Sequence, residues 1–219
     1  MKVILIHLID RFLDSLNRKK AFGFFYWMFL RGLRGIEHGV NYGDVNKSGE
    51  RHVLKLLKQF SNPIIFDVGA NKGQYATLAI EILGSNSPIF CFEPAKHSFE
   101  DLQKLQESNN VRLFNLALGN FTKRVELFYD KHGSGLASLK RLDYGHYNIG
   151  FSLSEEVSIT RLDDFCKHHQ INHIDLLKID VEGMEMDVIQ GAENMINNNN
   201  INMIQWEMGR PNVQTKFFF

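Results

Sequence analysis

Two groups of residues in this chain have types and spacing suited to chemistry. The first is Ile65-Phe-Asp-Val-Gly-Ala-Asn-Lys-Gly73, followed by Phe92-Glu-Pro94. Glu93 comes about twenty residues after the glycine turn, the spacing at which an α/β sheet holds an adenosine-containing ligand. In that arrangement an apolar strand ends in a glycine turn that opens a helix, and an acid sits at the tip of the next strand. The second group is Asp180 and Glu182, within Leu177-Lys-Ile-Asp-Val-Glu-Gly183. Carboxylates just past a strand lie where open α/β sheets form their ligand crevice, and there they can take or orient a proton.

The glycine turn also constrains the ligand. A dinucleotide fingerprint needs a middle glycine so that the backbone can approach a pyrophosphate. Here Gly69 is followed by Ala70, and the middle position is Asn71, leaving only Gly69 and Gly73. A Walker pattern is absent too, since Lys72 precedes Gly73 and no Gly-Lys-Ser/Thr occurs. S-adenosylmethionine suits the turn better, because it carries adenosine and a sulfonium but no phosphate. In this reading Glu93 accepts both ribose hydroxyls through one carboxylate. Asp67 faces the ligand's ammonium group, directly or through water, and the backbone of Gly69, Ala70 and Asn71 passes beneath the ligand. Asn115 and Ala117 border the adenine.

The same residues have plainer readings. Asp67 can cap the following turn, and Glu93 can be a solvated strand end. Asp180 and Glu182 can serve as N-cap and first-turn acids of the helix that follows. Lys178, inside an otherwise apolar strand, either pairs with a carboxylate or extends a solvated stem. Glu207 ends the next strand and extends the acidic rim, but no metal-ligand set is readable. His132, His146 and Gly133-Ser134-Gly135 fall in an irregular stretch that suits an acceptor-binding loop.

The elements that must position these residues follow from periodicity. A helix is expected from Ser48 through Phe60, stopped by Pro63. Strands over 64–68, 89–92 and 111–118 alternate with helices over 73–83 and 98–107, the pitch of βαβ units and hence of a parallel sheet. The pattern then breaks into a strand over 124–129, an irregular stretch over 131–154, a strand over 156–160 and a short helix over 161–169. It resumes with a strand over 174–179, a helix over 184–197 and a strand over 201–206. Residues 1–47 read as a helical extension and loop, and 48–219 as the catalytic domain.

Bulk composition narrows the classes. The 219 residues are 44% hydrophobic and 23% charged with zero formal charge, so no global field draws nucleic acid. Cys91 and Cys166 make neither a metal pattern nor a disulfide framework, which fits a reducing cytoplasm. Ala21–Leu30 is a dense apolar run about half the length a bilayer span requires. It is flanked by Arg18, Lys19, Lys20, Arg31 and Arg34. That pattern matches peripheral membrane contact through residues 1–36, and equally a helix packed on the core or on another subunit.

Beyond these local readings, several segments resemble one family in order: IFDVGANKGQ at 65–74, Phe92-Glu-Pro, Asn115-Leu-Ala-Leu-Gly119, Arg161-Leu-Asp-Asp-Phe165, LKIDVEG at 177–183, and Trp206-Glu207. Together they are similar to the FkbM methyltransferases. The resemblance spans roughly residues 48–210 and implies a class I methyltransferase (Rossmann-like), doubly wound, mostly parallel sheet. It also implies S-adenosylmethionine as cofactor and methyl transfer to a hydroxyl of a sugar, glycolipid or secondary metabolite, with Asp180 and Glu182 as catalytic candidates. The family pattern continues past Glu207 into another helix and an antiparallel strand pair, so the chain is expected to be truncated at its C-terminus. An NAD-linked oxidoreductase is disfavoured by Asn71 and by the lack of a Tyr-x-x-x-Lys pair. The other class is a non-catalytic, truncated methyltransferase-like protein with a membrane-surface or interaction role.

Overall fold

Strand Ile65–Val68 is buried at every position, as are Ile89–Phe92 and Ile174–Ile179. Parallel strands covered by helices on both faces lose the in–out alternation of half-solvated ones, which is why these segments are apolar apart from Asp67, Asp175 and Lys178. The computed structural model describes residues 49–107, 110–140 and 150–206, and all but Gly49 belong to one unit, Glu50–Phe219. The expected N-terminal helices, His146, Glu207 and the terminal phenylalanines lie outside the described residues.

The strands are β1 (Ile65–Val68), β2 (Ile89–Phe92), β3 (Val111–Phe114), β4 (Ala117–Gly119), β5 (Lys123–Tyr129), β6 (Leu153–Arg161), β7 (Ile174–Ile179) and β8 (Ile201–Trp206). The helices are α1 (Glu50–Leu56), α2 (Gln74–Leu83), α3 (Lys96–Leu102), α4 (Leu162–His168), α5 (Glu185–Gly191) and α6 (Glu193–Asn197). The main sheet has the order β3-β2-β1-β7-β8, and every pairing in it is parallel. The chain runs outward from β1 in one direction and resumes on its other side with β7. That reversal makes the switch point at which an open sheet parts to form a crevice.

One face of the sheet carries an aromatic cluster. Phe66, Phe92 and Phe114 meet Phe165 of α4, with edge-on ring contacts of 4.8 Å from Phe165 to both Phe92 and Phe114. The opposite face is covered by α2 through Tyr75, Leu78 and Ala79.

Three segments depart from the sequence expectation. The third strand ends at Phe114 rather than Leu118, and Ala117–Gly119 joins a second sheet of order β4-β6-β5. Asn115 breaks the run by turning its amide onto the Glu93 and Pro94 carbonyls, each at 2.9 Å. The helix expected over 184–197 is interrupted at Ala192, which sits outside helical geometry at φ −102°, ψ 12°. The helix expected from Ser98 begins at Lys96 and tightens into a 3₁₀ turn at Gln103. Among the described residues no helix is long and apolar enough to cross a membrane.

The two sheets are joined by a close backbone contact. A methyl group built at Gly191, the last residue of α5, would lie 1.8 Å from the carbonyl oxygen of Gly119 in β4. Such a clash with backbone cannot be relieved by a side-chain rotation. Gly191→Ala is therefore expected to destabilise the fold by at least about 1–3 kcal/mol. The shift would be read as a lower urea midpoint with an unchanged m-value, and a wild-type midpoint would refute the contact.

Candidate active site

The switch point opens as a cleft bordered by the carboxyl ends of β1, β2 and β7, by β4, and by the segment after β5. Its geometry begins with the glycine turn. Gly69 has φ +83°, and a methyl group there would lie 1.8 Å from the carbonyl oxygen of Asp180. Only glycine lets the tips of β1 and β7 approach this closely. Asn71 follows at φ 47°, a left-handed conformation that asparagine tolerates better than most residues. Its side-chain Oδ1 is buried and has no hydrogen-bond partner among the described residues.

Glu93 binds this turn to the tip of β2. Its Oε2 accepts the Asn71 backbone N–H at 2.9 Å, and its Oε1 accepts the Ala95 N–H at 2.8 Å. The residue is 6% exposed and lines the cleft. Burial pushes its carboxyl up to about 7, against the opposing pull of the two backbone donors. Each carboxylate oxygen retains a second lone pair for a ligand hydroxyl.

Asp67 sits differently from the expectation. Its side chain is fully buried on the α2 face of the sheet, where it meets Lys178 directly across the β1–β7 pairing. It therefore does not face the cleft. The Lys178 Nζ lies 3.2 Å from Asp67 Oδ1 and 3.3 Å from Asp180 Oδ2. Only the Asp180 contact has hydrogen-bond alignment, and neither Asp67 oxygen has a hydrogen-bond partner among the described residues. Burial raises the Asp67 carboxyl, with Lys178 pulling it back. For Lys178, burial works against the charge, but the Asp67 and Asp180 carboxylates outweigh it and hold the ammonium charged.

The turn after β7 completes the cleft. Asp180 is partly exposed and lines it, as do Val181 and Glu182. Glu182 has φ 50° and Gly183 φ 97°, so two successive residues are left-handed. A glutamate in that conformation is strained, and such strain persists only where neighbours over-determine it. Here the Ser138 hydroxyl donates to the Glu182 carbonyl at 2.8 Å, and buried Glu185 accepts the Gly183 N–H at 3.0 Å. Ser138 is in turn fixed by a reciprocal backbone pair with Phe128 at the end of β5. The segment from Ser134 to Leu139 thus forms a wall of the cleft tied to β7.

Of the sequence candidates, Gly69, Asn71, Glu93, Ala117, Asp180 and Glu182 line the cleft together. Ala70 and Gly73 shape the turn without lining it: Gly73 N–H donates to the Ala70 carbonyl at 2.8 Å. Asn115 braces the backbone of Glu93 instead of bordering the cleft. His132 packs its ring on His97 and Tyr129 rather than on the cleft. Sequence reasoning missed Ser138 and the apolar part of the cleft, Leu118, Leu127, Leu139 and Met184. The run of small residues from Gly133 to Ser138 was the available signal for Ser138. The lining contains three carboxylates and, among the described residues, no lysine, arginine or histidine. That field disfavours phosphates and favours a cation. Among the described residues, no group of three His, Cys, Asp or Glu side chains could hold a metal ion.

Similarity to known proteins identifies the family. A family profile described as "Methyltransferase FkbM domain" matches residues 67–219. The 2-O-methyltransferase NoeI of Sinorhizobium fredii is 28% identical over 172 residues, 74% of this chain and 70% of that protein. The hexuronic acid methyltransferase AglP of Haloferax volcanii is 22% identical over 74% of this chain and 64% of its own length. The crystal structure of Methyltransferase FkbM from Methylobacillus flagellatus KT aligns over 63% of this chain and 30% of its own, with 18% identity and a TM-score of 0.44. The glycine turn, Glu93 and the LKIDVEG strand all fall within the matched region, and the chain belongs to the FkbM methyltransferase family.

Proposed function

We propose that this chain is an S-adenosylmethionine-dependent O-methyltransferase whose acceptor is a sugar hydroxyl. The observation that carries the reading is the cleft itself. A carboxylate at the tip of β2 and another at the tip of β7 face one space, and no basic side chain lines it among the described residues. When bound, the cofactor would supply a methyl group made electrophilic by its sulfonium. Glu93 accepts the ribose hydroxyls, and the Gly69–Asn71 backbone runs under the ligand. The buried Oδ1 of Asn71 is offered to the ligand's ammonium group, the role that sequence reasoning gave to Asp67. Asp180 takes the proton of the acceptor hydroxyl as that oxygen attacks, and Glu182 orients neighbouring hydroxyls. The Ser134–Leu139 wall keeps water from the reacting groups. The sugar acceptor is drawn from the names of NoeI and AglP.

Calorimetric titration with S-adenosylhomocysteine tests the cofactor. Micromolar binding is expected, with no binding of NAD⁺ and a loss of more than about tenfold in Glu93→Ala, as befits hydrogen bonds to a charged group. A folded chain that binds neither ligand would overturn the reading and favour a non-catalytic role.

Binding should also depend on pH in a defined direction. Ligand hydroxyls that donate to Glu93 favour its ionised form, so the complex holds that proton less tightly than the free protein, where the carboxyl titrates at about 7. Below that value binding must expel a proton, and affinity falls by up to about tenfold per pH unit. Titrations at pH 6 in buffers of different ionisation enthalpy would show this as proton release, which Glu93→Gln would abolish.

The base is tested by methyl transfer from labelled cofactor to p-nitrophenyl glucoside and glucuronide. Asp180→Asn is expected to lower kcat by about 10²- to 10⁴-fold while leaving homocysteine-product binding within a few-fold of wild type. An unchanged kcat would remove Asp180 from the proton-transfer role.

A further inference from the structure

Lys178 belongs to no cleft wall, yet it is the one cation in contact with both Asp67 and the candidate base among the described residues. Three observations bear on its purpose. Its side chain is 7% exposed, and its ammonium sits between two carboxylates at 3.2 and 3.3 Å. The ammonium donates a hydrogen bond to the cleft-side carboxylate of Asp180 and stands in ion-pair contact with buried Asp67. The Asp180 side chain is 34% exposed and lines the cleft, open to a ligand. An ammonium carries three N–H donors, so Lys178 can serve both carboxylates at once. Its contacts thus run from the buried carboxylate to the one that lines the cleft.

Resting on the methyltransferase reading above, we propose that Lys178 is a positioning residue for methyl transfer. It holds Asp180 by Oδ2 and leaves Oδ1 for the acceptor hydroxyl, while Asp67 serves as the buried counter-ion that keeps Lys178 charged. Asp67 then acts on the reaction through Lys178 rather than through the cofactor. The packing supports a fixed ammonium. Its Nζ lies 5.4 Å from the Tyr75 ring centroid, and the Tyr75 hydroxyl is anchored by donating to Gln205 Oε1 at 3.0 Å. The stem is clamped by the β1 and β8 pairings on either side of β7.

Lys178→Met alone leaves Asp67 buried without a counter-charge and risks unfolding. The decisive variant is Asp67→Asn combined with Lys178→Met, which removes both buried charges together. Stability by urea melts, S-adenosylhomocysteine affinity by calorimetry, and kcat and KM for the p-nitrophenyl glycoside that wild type methylates are measured on the same samples. The double variant is expected to fold and to bind the homocysteine product within about threefold of wild type. Its kcat should fall on the order of 100-fold, the low end of what a general base contributes, with KM little changed. Asp67→Asn alone, which keeps the Lys178–Asp180 hydrogen bond, should retain kcat within about tenfold. A double variant with wild-type kcat would show the pair to be structural only and would overturn the inference. Failure of wild type to bind the homocysteine product would instead overturn the methyltransferase reading on which it rests.

Discussion

Two opposite charges buried side by side in the middle of a parallel sheet form the constraint on which the rest of this site depends. Asp67 and Lys178 face each other across β1 and β7, with side chains 0% and 7% exposed. Removing either charge from water costs several kcal/mol, and their attraction offsets that cost only if the distance is held near contact. A slip of one residue in the β1–β7 register would carry one of them to the aromatic face of the sheet and strand the other. The pair therefore fixes register between the two strands whose tips make the cleft. The same lysine reaches forward to Asp180, so the register of the sheet and the orientation of a cleft carboxylate are set by one ammonium group.

The backbone reinforces that link. Gly69 lies so close to the Asp180 carbonyl that a single methyl group would collide with it. Asp180 N–H donates to Val68 O at 2.9 Å, continuing the β1–β7 ladder past the last paired residues. From this junction the glycine turn leads to Glu93, and the β7 turn leads to Ser138, each through a hydrogen bond to or from main chain. The cleft is thus assembled from strand tips and their turns, with main-chain groups as its principal fasteners. Main chain moves less than long side chains do, which is what alignment of reacting groups requires.

The sequence showed much of this and concealed the rest for physical reasons. The runs Ile65–Val68, Ile89–Phe92 and Ile174–Ile179 were legible because strands buried on both faces are mostly apolar and flanked by glycine, proline or acid. Glu93, Asp180 and Glu182 were legible because the carboxyl ends of such strands face the crevice. Asp67 was misread because an acid near a strand end looks like a tip residue. What decides its burial is the lysine opposite, contributed by a strand more than a hundred residues away. Apolar residues on both sides of Asn115, Leu113 and Phe114 before it and Leu116 to Leu118 after it, hid the break, since both sheets need apolar residues there. The wall at Ser138 was obscured for a related reason: its small residues carry no period and are defined by contacts to β5 and β7.

Burying a carboxylate at the edge of the cleft works against stability. Glu93 shows the effect, since burial raises its carboxyl to about 7 despite two backbone donors. The unfolded chain would ionise this group near its ordinary value. Between that value and 7 the folded state is therefore the one that binds the extra proton, and ionising Glu93 as pH rises costs folding free energy. Lys178 relieves Asp180, but its charge is shared with Asp67 and no further cation lines the cleft among the described residues. The free protein thus holds an electrostatic imbalance that a cation entering the cleft would relieve and an anion would worsen. A ligand carrying a sulfonium and an ammonium would recover interaction energy that the fold leaves unsatisfied, whereas a pyrophosphate would meet Asn71 and three like charges. The preference written in the glycine turn and the preference set by the charges converge on the same class of ligand. They do so independently, because one is a matter of backbone approach and the other of field.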